Sequence, residues 1–187
     1  YYLTANLTLM ADIAFLLNMR RYFETGVTKT FAFRKQQLIR LRDAVQKYEQ
    51  PLHEALYTDL KKSPEECWVT ETGFLISEIN QAIRNLRQWM EKEKVPTNLL
   101  NLPSESYVMK EPLGVVLIIG PWNYPLQLLF TPLTGAIAAG NCAVLKSSEF
   151  APATSAVMKQ LVKETFDEQY IRLIEGDGAL VVPEMMN

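Results

Sequence analysis

The chain has 187 residues, 48% of them hydrophobic, enough for one globular domain with a buried core. Lysine and arginine number 19 against 21 aspartate and glutamate, a net charge of −2, which excludes a nucleic-acid binder relying on a basic excess. Two cysteines without paired spacing and a single histidine exclude a disulfide framework and a His-rich metal site, so a reducing, cytoplasmic setting without a bound metal is expected.

Tyr1 to Met19 is largely apolar but carries Asp12 near its middle. A membrane span needs about 20 apolar residues and disfavours a central acid, and no basic n-region precedes the stretch as a signal peptide would require. Membrane association is therefore not expected. Ala11 to Phe23 reads instead as an amphipathic helix, with Ile13, Leu16, Leu17 and Phe23 inward and Arg20 and Arg21 outward. Phe23 to Phe33 is a connector. Arg34 to Lys61 then reads as one long helix, because Leu38, Leu41, Val45, Tyr48, Leu52, Leu56 and Leu60 recur at helical spacing. Pro51 should bend it, and His53 should lie at its surface.

Ser63 has the features of a helix N-cap, with Pro64 as first helical residue and Glu66 completing a capping box. This helix is predicted to reach about Glu93 and to bury Trp68, Leu75, Ile79, Ile83, Leu86 and Met90, with Trp89 also in the core. Glu91 to Lys94 should form its solvated end. Residues 1–95 thus form a helical first part, and residues 96–112 a connector with weak strand periodicity around Tyr107 and Met109.

Residues 113–187 change character. Leu113 to Ile119 is an apolar run rich in Val and Ile, the habit of a strand buried on both faces of a parallel sheet. Gly120 and Pro121 stop it. Leu126 to Ala139 is apolar all round and predicts a buried helix, opened by Pro125, kinked at Pro132 and ended by Gly140 and Asn141. Cys142 to Lys146 reads as a second buried strand, giving a βαβ unit. A helix from Pro152 follows, then a strand at Tyr170 to Ile174, a glycine turn at Glu175 to Gly178, and a helix from Ala179 interrupted by Pro183.

The loops after the first two strands carry the chemistry. They lie at strand carboxyl ends, where open α/β sheets bind ligands. Trp122, Asn123 and Tyr124 sit between two prolines, and a carboxamide held there can donate to a developing oxyanion. Lys146 and Glu149 follow the second strand, and a cation with a carboxylate can hold ribose hydroxyls. Taken singly, Asn123 could equally cap the helix, and Lys146 and Glu149 could be a solvated turn.

Taken together, these stretches resemble the NAD(P)-dependent aldehyde dehydrogenases, most closely their class 3-like branch. The resemblance rests on KEPLGVVLIIGPWNYP (Lys110–Pro125), GAIAAGNCAVLK (Gly135–Lys146) and SSE (Ser147–Glu149), and extends more weakly from Phe23 to the end. It implies an α/β fold in which N-terminal helices accompany an incomplete Rossmann-like parallel sheet. Residues 1–95 and 113–187 would then belong to the cofactor-binding domain, and a strand within 96–112 to a bridging module. The resemblance implies NAD or NADP as cofactor, a small-molecule aldehyde as substrate, and a homodimer for the complete protein. It assigns Asn123 as oxyanion donor, Lys146 and Glu149 to the adenosine ribose, Gly120, Pro121 and Trp122 to the nicotinamide side, Tyr124 to the aldehyde funnel, and Gly176 and Gly178 to the adenine side.

Two departures stand out. The family's cysteine nucleophile and glutamate base lie downstream of the matched region, and neither Cys67 nor Cys142 falls in the nucleophile motif. The family usually has proline after the strand-end lysine, where this chain has Ser147, which questions that loop's rigidity. The alternative expectation is a non-catalytic fragment that retains part of a nucleotide site.

Overall fold

The computed structural model of the chain describes residues 15–186. Its first helix, α1, covers residues 15–24. Leu16 and Phe23 pack against the core and Arg20 and Arg21 are exposed, as the sequence predicts, whereas Leu17 is exposed and Phe15 and Met19 are the buried residues. Ile13, and most of the apolar stretch from Tyr1, lie outside the described residues. No described helix is long and apolar enough to cross a membrane.

The predicted long helix is two helices, α2 (Phe31–Lys47) and α3 (Glu49–Leu60). Tyr48, at φ −95° and ψ 7°, breaks the run. Pro51 therefore lies in the first turn of α3, where its missing N–H is harmless, rather than bending a continuous helix. Thr30 caps α2 by accepting the Phe33 N–H at 3.2 Å. His53 is half-buried, with Nε2 3.0 Å from the Thr72 hydroxyl, and not a free surface side chain.

Ser63 caps α4 (Pro64–Cys67) as predicted, accepting the Glu66 N–H at 3.2 Å. The Ser63 hydroxyl also helps to hold the carboxyl of Glu65 below its usual range, after that residue's own N–H. A widened π-type turn, Trp68–Thr72, separates α4 from α5 (Gly73–Trp89). Leu75, Ile79 and Leu86 are buried as predicted, with Ala82, but Trp68 in the widened turn and Trp89 at the last residue of α5 are exposed rather than core. Glu91 to Lys94 are exposed, as expected of a solvated end, but Glu93 and Lys94 also begin a strand. β1 (Glu93–Val95) pairs antiparallel with β2 (Ser106–Val108).

The remaining elements are β3 (Val115–Ile119), α6 (Gln127–Ala139), β4 (Cys142–Lys146), α7 (Pro152–Thr165), β5 (Ile171–Ile174) and α8 (Gly178–Met186). The strands form a parallel sheet in the order β3-β4-β5 among the described residues. β4, in the middle, is buried throughout. β3 lies at an edge and is only half-buried, so the expectation of burial on both faces holds for β4 alone. Leu113, placed in the strand from sequence, precedes it and is exposed. Helical structure runs through Pro183 without interruption.

The core is continuous. Leu38, Leu41 and Val45 of α2 and Leu75, Ile79 and Leu86 of α5 join Leu129, Phe130, Leu133 and Ile137 of α6, and these meet the strands through Ala143, Val144 and Leu145. Burying large aliphatic side chains contributes about 1.5–3 kcal/mol each. That is why the apolar α6 sits between the N-terminal helices and the sheet, although Leu128, Pro132, Gly135 and Ala139 leave one face of it exposed, so it is not buried all round as its composition predicts. Leu16 and Arg20 of α1 line a recess with Val115, Leu117, Val144 and Met185, which sets α1 and α8 beside the strands.

Candidate active site

The register pairs Ile119 with Lys146, so the loops after β3 and β4 leave the sheet side by side. The Gly120 N–H donates to the Lys146 carbonyl at 2.9 Å and fastens the first loop to the second. A Cβ at Gly120 would lie 3.0 Å from Leu129 Cβ, so this glycine lets α6 approach the strand end.

Pro121, Trp122, Asn123 and Tyr124 are exposed, whereas Pro125 and Leu126 are buried. Leu126 is the N-cap position of α6 and has no side-chain cap bond, so Asn123 is not the cap. The helix start is served from elsewhere: Glu71 Oε2 accepts the Gln127 N–H at 2.9 Å. Glu71 also pairs with Lys62 at 2.6 Å. The Lys62 ammonium donates to the Asn123 carbonyl at 2.9 Å and lies 4.0 Å from the centre of the Tyr124 ring. Burial pushes the Glu71 carboxyl up, and Lys62 with the Gln127 and Leu126 N–H groups works against that rise.

The loop after β4 is equally built. Lys146 is buried, and its ammonium donates to the Ser147 carbonyl at 2.5 Å and to Glu149 Oε2 at 3.0 Å. Glu149 Oε1 accepts the Gly178 N–H at 3.1 Å. Its own N–H, then that of Gly178, then Lys146 hold the Glu149 carboxyl down to about 2. The two predicted ribose residues and one predicted glycine thus meet. Gly176 has φ +131°, a conformation that favours glycine, and a Cβ there would lie 2.9 Å from Val181 Cγ2. A cavity of about 210 Å³ opens beside them, lined by Ser147, Ser148, Glu149, Ser155, Glu175 and Gly176 among others.

Ser147, standing where proline is usual, does not leave the loop loose. Its N–H donates to the Ile174 carbonyl at 3.4 Å. Its hydroxyl lies 2.5 Å from that of Ser155, which donates to Glu175 Oε1 at 3.0 Å. Lys159 closes the chain of contacts on Glu175 Oε2 at 2.6 Å. Sequence reasoning placed Glu175 in a glycine turn without a role for its side chain, and missed Ser155 and Lys159 here, as it missed Lys62 and Glu71 at the other loop. The only hint was a basic residue just ahead of Ser63. Cys67 and Cys142 are buried, and burial pushes their thiols up to about 11 and about 12. Neither is an ionised nucleophile at neutral pH.

A sequence profile of the aldehyde dehydrogenase family matches residues 16–187. The chain belongs to that family. Its similarity to curated relatives includes 48% identity to the 4,4'-diaponeurosporen-aldehyde dehydrogenase of Staphylococcus aureus, covering 84% of this chain and 34% of that protein. It is 42% identical to human aldehyde dehydrogenase family 3 member B1, over 86% of this chain and 34% of the relative. The class 3-like likeness read from the sequence is borne out by such family 3 relatives. The chain spans about a third of the length of the curated relatives it matches. Among solved structures, the substrate-bound state of Staphylococcus aureus AldH superposes with a TM-score of 0.87 at 45% identity, over 92% of this chain and 37% of that one. A Methanocaldococcus jannaschii glyceraldehyde-3-phosphate dehydrogenase complexed with NADP has a TM-score of 0.77 at 20% identity, covering 95% of this chain and 39% of that one, and shares the fold. The α/β fold expected for an aldehyde dehydrogenase is thus the fold observed.

Proposed function

We propose that the protein carrying this chain oxidises a small aldehyde to a carboxylic acid with NAD or NADP, through a thiohemiacetal on a cysteine downstream of the residues matched here. The observation that carries this reading is the meeting of Lys146, Glu149 and Gly178 beside the exposed Asn123 loop, at the carboxyl ends of adjacent parallel strands. Membership of the aldehyde dehydrogenase family supports it.

The residues present fit a nucleotide. The Glu149 carboxylate is ionised and solvent-facing, and keeps lone pairs for ribose hydroxyls after accepting from Lys146 and Gly178. Lys146 retains a third N–H beyond the two it uses. The adjoining cavity and the side-chain-free Gly176 and Gly178 leave room on the adenine side. The cofactor supplies a hydride acceptor when bound. Gly120, Pro121 and Trp122 would flank its nicotinamide half, and Tyr124 would face the aldehyde. A carboxylate near the ribose 2′ position favours a hydroxyl there over a phosphate, which leans toward NAD while leaving NADP open.

Asn123 would donate its carboxamide N–H to the oxygen that becomes negative as a thiolate adds to the aldehyde carbon. Removing one such donor costs on the order of 10²–10³ in turnover. In the native polypeptide, Asn123→Ala should lower kcat by that order while the dissociation constant for NAD or NADP stays nearly unchanged. Unchanged turnover would dismiss the role. The β1–β2 hairpin, which exposes Tyr107 and Val108, suits a bridging module through which the complete protein pairs as a homodimer. Two free, buried thiols fit a cytoplasmic location.

A further inference from the structure

Lys62 and Glu71 form an ion pair with side chains only 9% and 0% exposed. A buried pair adds little stability on balance, because desolvation offsets the attraction. What this one provides is geometry. Lys62 holds the Asn123 carbonyl at 2.9 Å and sits over the Tyr124 ring. Glu71, through its other oxygen, holds the N–H of Gln127 at 2.9 Å. Both ends of the segment from Asn123 to Gln127 are therefore tied to the two halves of one ion pair.

Glu71 reaches this position from the π-type turn Trp68–Thr72. The Gly73 N–H bonds to the Trp68 carbonyl across that turn, and a Cβ at Gly73 would lie 2.5 Å from the same oxygen. Turns of this kind recur at functional sites because the extra residue re-aims its neighbours.

We propose that Lys62 and Glu71 are positioning residues that fix the backbone of Asn123, so that its carboxamide is held toward the reacting aldehyde before the oxyanion forms. The proposal rests on the reading of Asn123 as oxyanion donor. Its logic is preorganisation. A carbonyl pinned at Asn123 and an N–H pinned at Gln127 leave the exposed loop between them little freedom, and a displacement of about 1 Å at such a donor costs about 10²-fold in rate.

The test is a kinetic cycle in the native polypeptide with Lys62→Met, Asn123→Ala and their combination. Lys62→Met should lower kcat about 10²-fold while changing the dissociation constant for NAD or NADP far less, since the adenosine ribose is assigned to Lys146 and Glu149 of the other loop. The combined variant should be no slower than Asn123→Ala alone, since Lys62 acts through Asn123. A combined loss equal to the product of the single losses would overturn the proposal and leave the Asn123 reading standing. Full turnover in Asn123→Ala would overturn both. Lys62→Met alone leaves the Glu71 carboxylate without its cation, so Lys62→Met/Glu71→Gln, which keeps an acceptor for the Gln127 N–H, is measured alongside and should show the same dependence on Asn123. Amide hydrogen exchange over residues 120–128 gives a readout independent of turnover. Exchange at least tenfold faster in the charge-free variant is expected, and unchanged exchange would overturn the proposal.

Discussion

Asp59 caps α7, the helix that begins at Pro152, far along the sequence. Its Oδ2 accepts the Thr154 N–H at 2.7 Å and the Thr154 hydroxyl at 2.8 Å, and its Oδ1 accepts the Ala153 N–H at 3.2 Å. α7 has no side-chain cap of its own, because its N-cap position is Ala151. The last turn of α3 therefore fixes where the Glu149 loop ends. Asp59→Ala would leave first-turn N–H groups without their acceptor and should lower stability by about 1–2 kcal/mol. The urea midpoint should fall at constant m, and an unchanged midpoint would refute the assignment.

Glu149 makes the chain's acid response partly predictable. Its carboxyl is held at about 2 in the fold, by its own N–H first and then by Gly178 and Lys146, against an ordinary value of 4.5. A carboxyl depressed in the folded state contributes stability that is present above the unfolded value and lost as pH falls through the folded one. The contribution is small, because Glu149 faces solvent. Between pH 4.5 and 2 the stability of Glu149→Gln should decline less steeply than that of the native chain. Parallel profiles in paired urea titrations would show that the carboxylate contributes nothing.

Gly140 ends α6 at φ +90°, and a Cβ there would lie 2.5 Å from Arg34 Nη2. Arg34 has little freedom to retreat, since its Nε donates to the Thr28 carbonyl at 3.0 Å and its Nη1 to the Ala138 carbonyl at 3.1 Å. Gly140→Ala combines left-handed strain with a clash and should cost about 3 kcal/mol. Thermal unfolding of the variant beside the native chain measures this. A loss well under 1 kcal/mol would mean that the helix end relaxes freely.

Cys67 and Cys142 should be inert in the folded chain. With thiols raised to about 11 and about 12 by burial, both should react with a thiol reagent at mildly alkaline pH more than about 10²-fold slower than a free cysteine, and at full speed in denaturant. Rapid labelling of either one in the native state would contradict the burial seen here.

The sequence by itself determined the local features: the βαβ unit, the Ser63 cap, the αL end at Gly140, and the placing of Asn123, Lys146 and Glu149 at strand carboxyl ends. Each depends on periodicity, propensity or a cap within a few residues, so its signal is complete in a short window. The stripes at Leu38, Leu41, Val45, Leu52, Leu56, Leu75, Ile79 and Leu86 are buried as their helical spacing predicts, and the tertiary structure decided the exceptions. That is why Trp68 and Trp89 turn outward, why the predicted helix breaks at Tyr48, and why β3 is only half-buried. It also decided the partners of buried polar groups. Lys62 meets an oxygen 61 residues away, Asp59 caps a helix 95 residues on, and Ser147 replaces an expected proline through bonds to Ser155 and Ile174. A charge can be buried only where a partner arrives to satisfy it, and that arrival depends on the packing of distant segments rather than on neighbours in sequence.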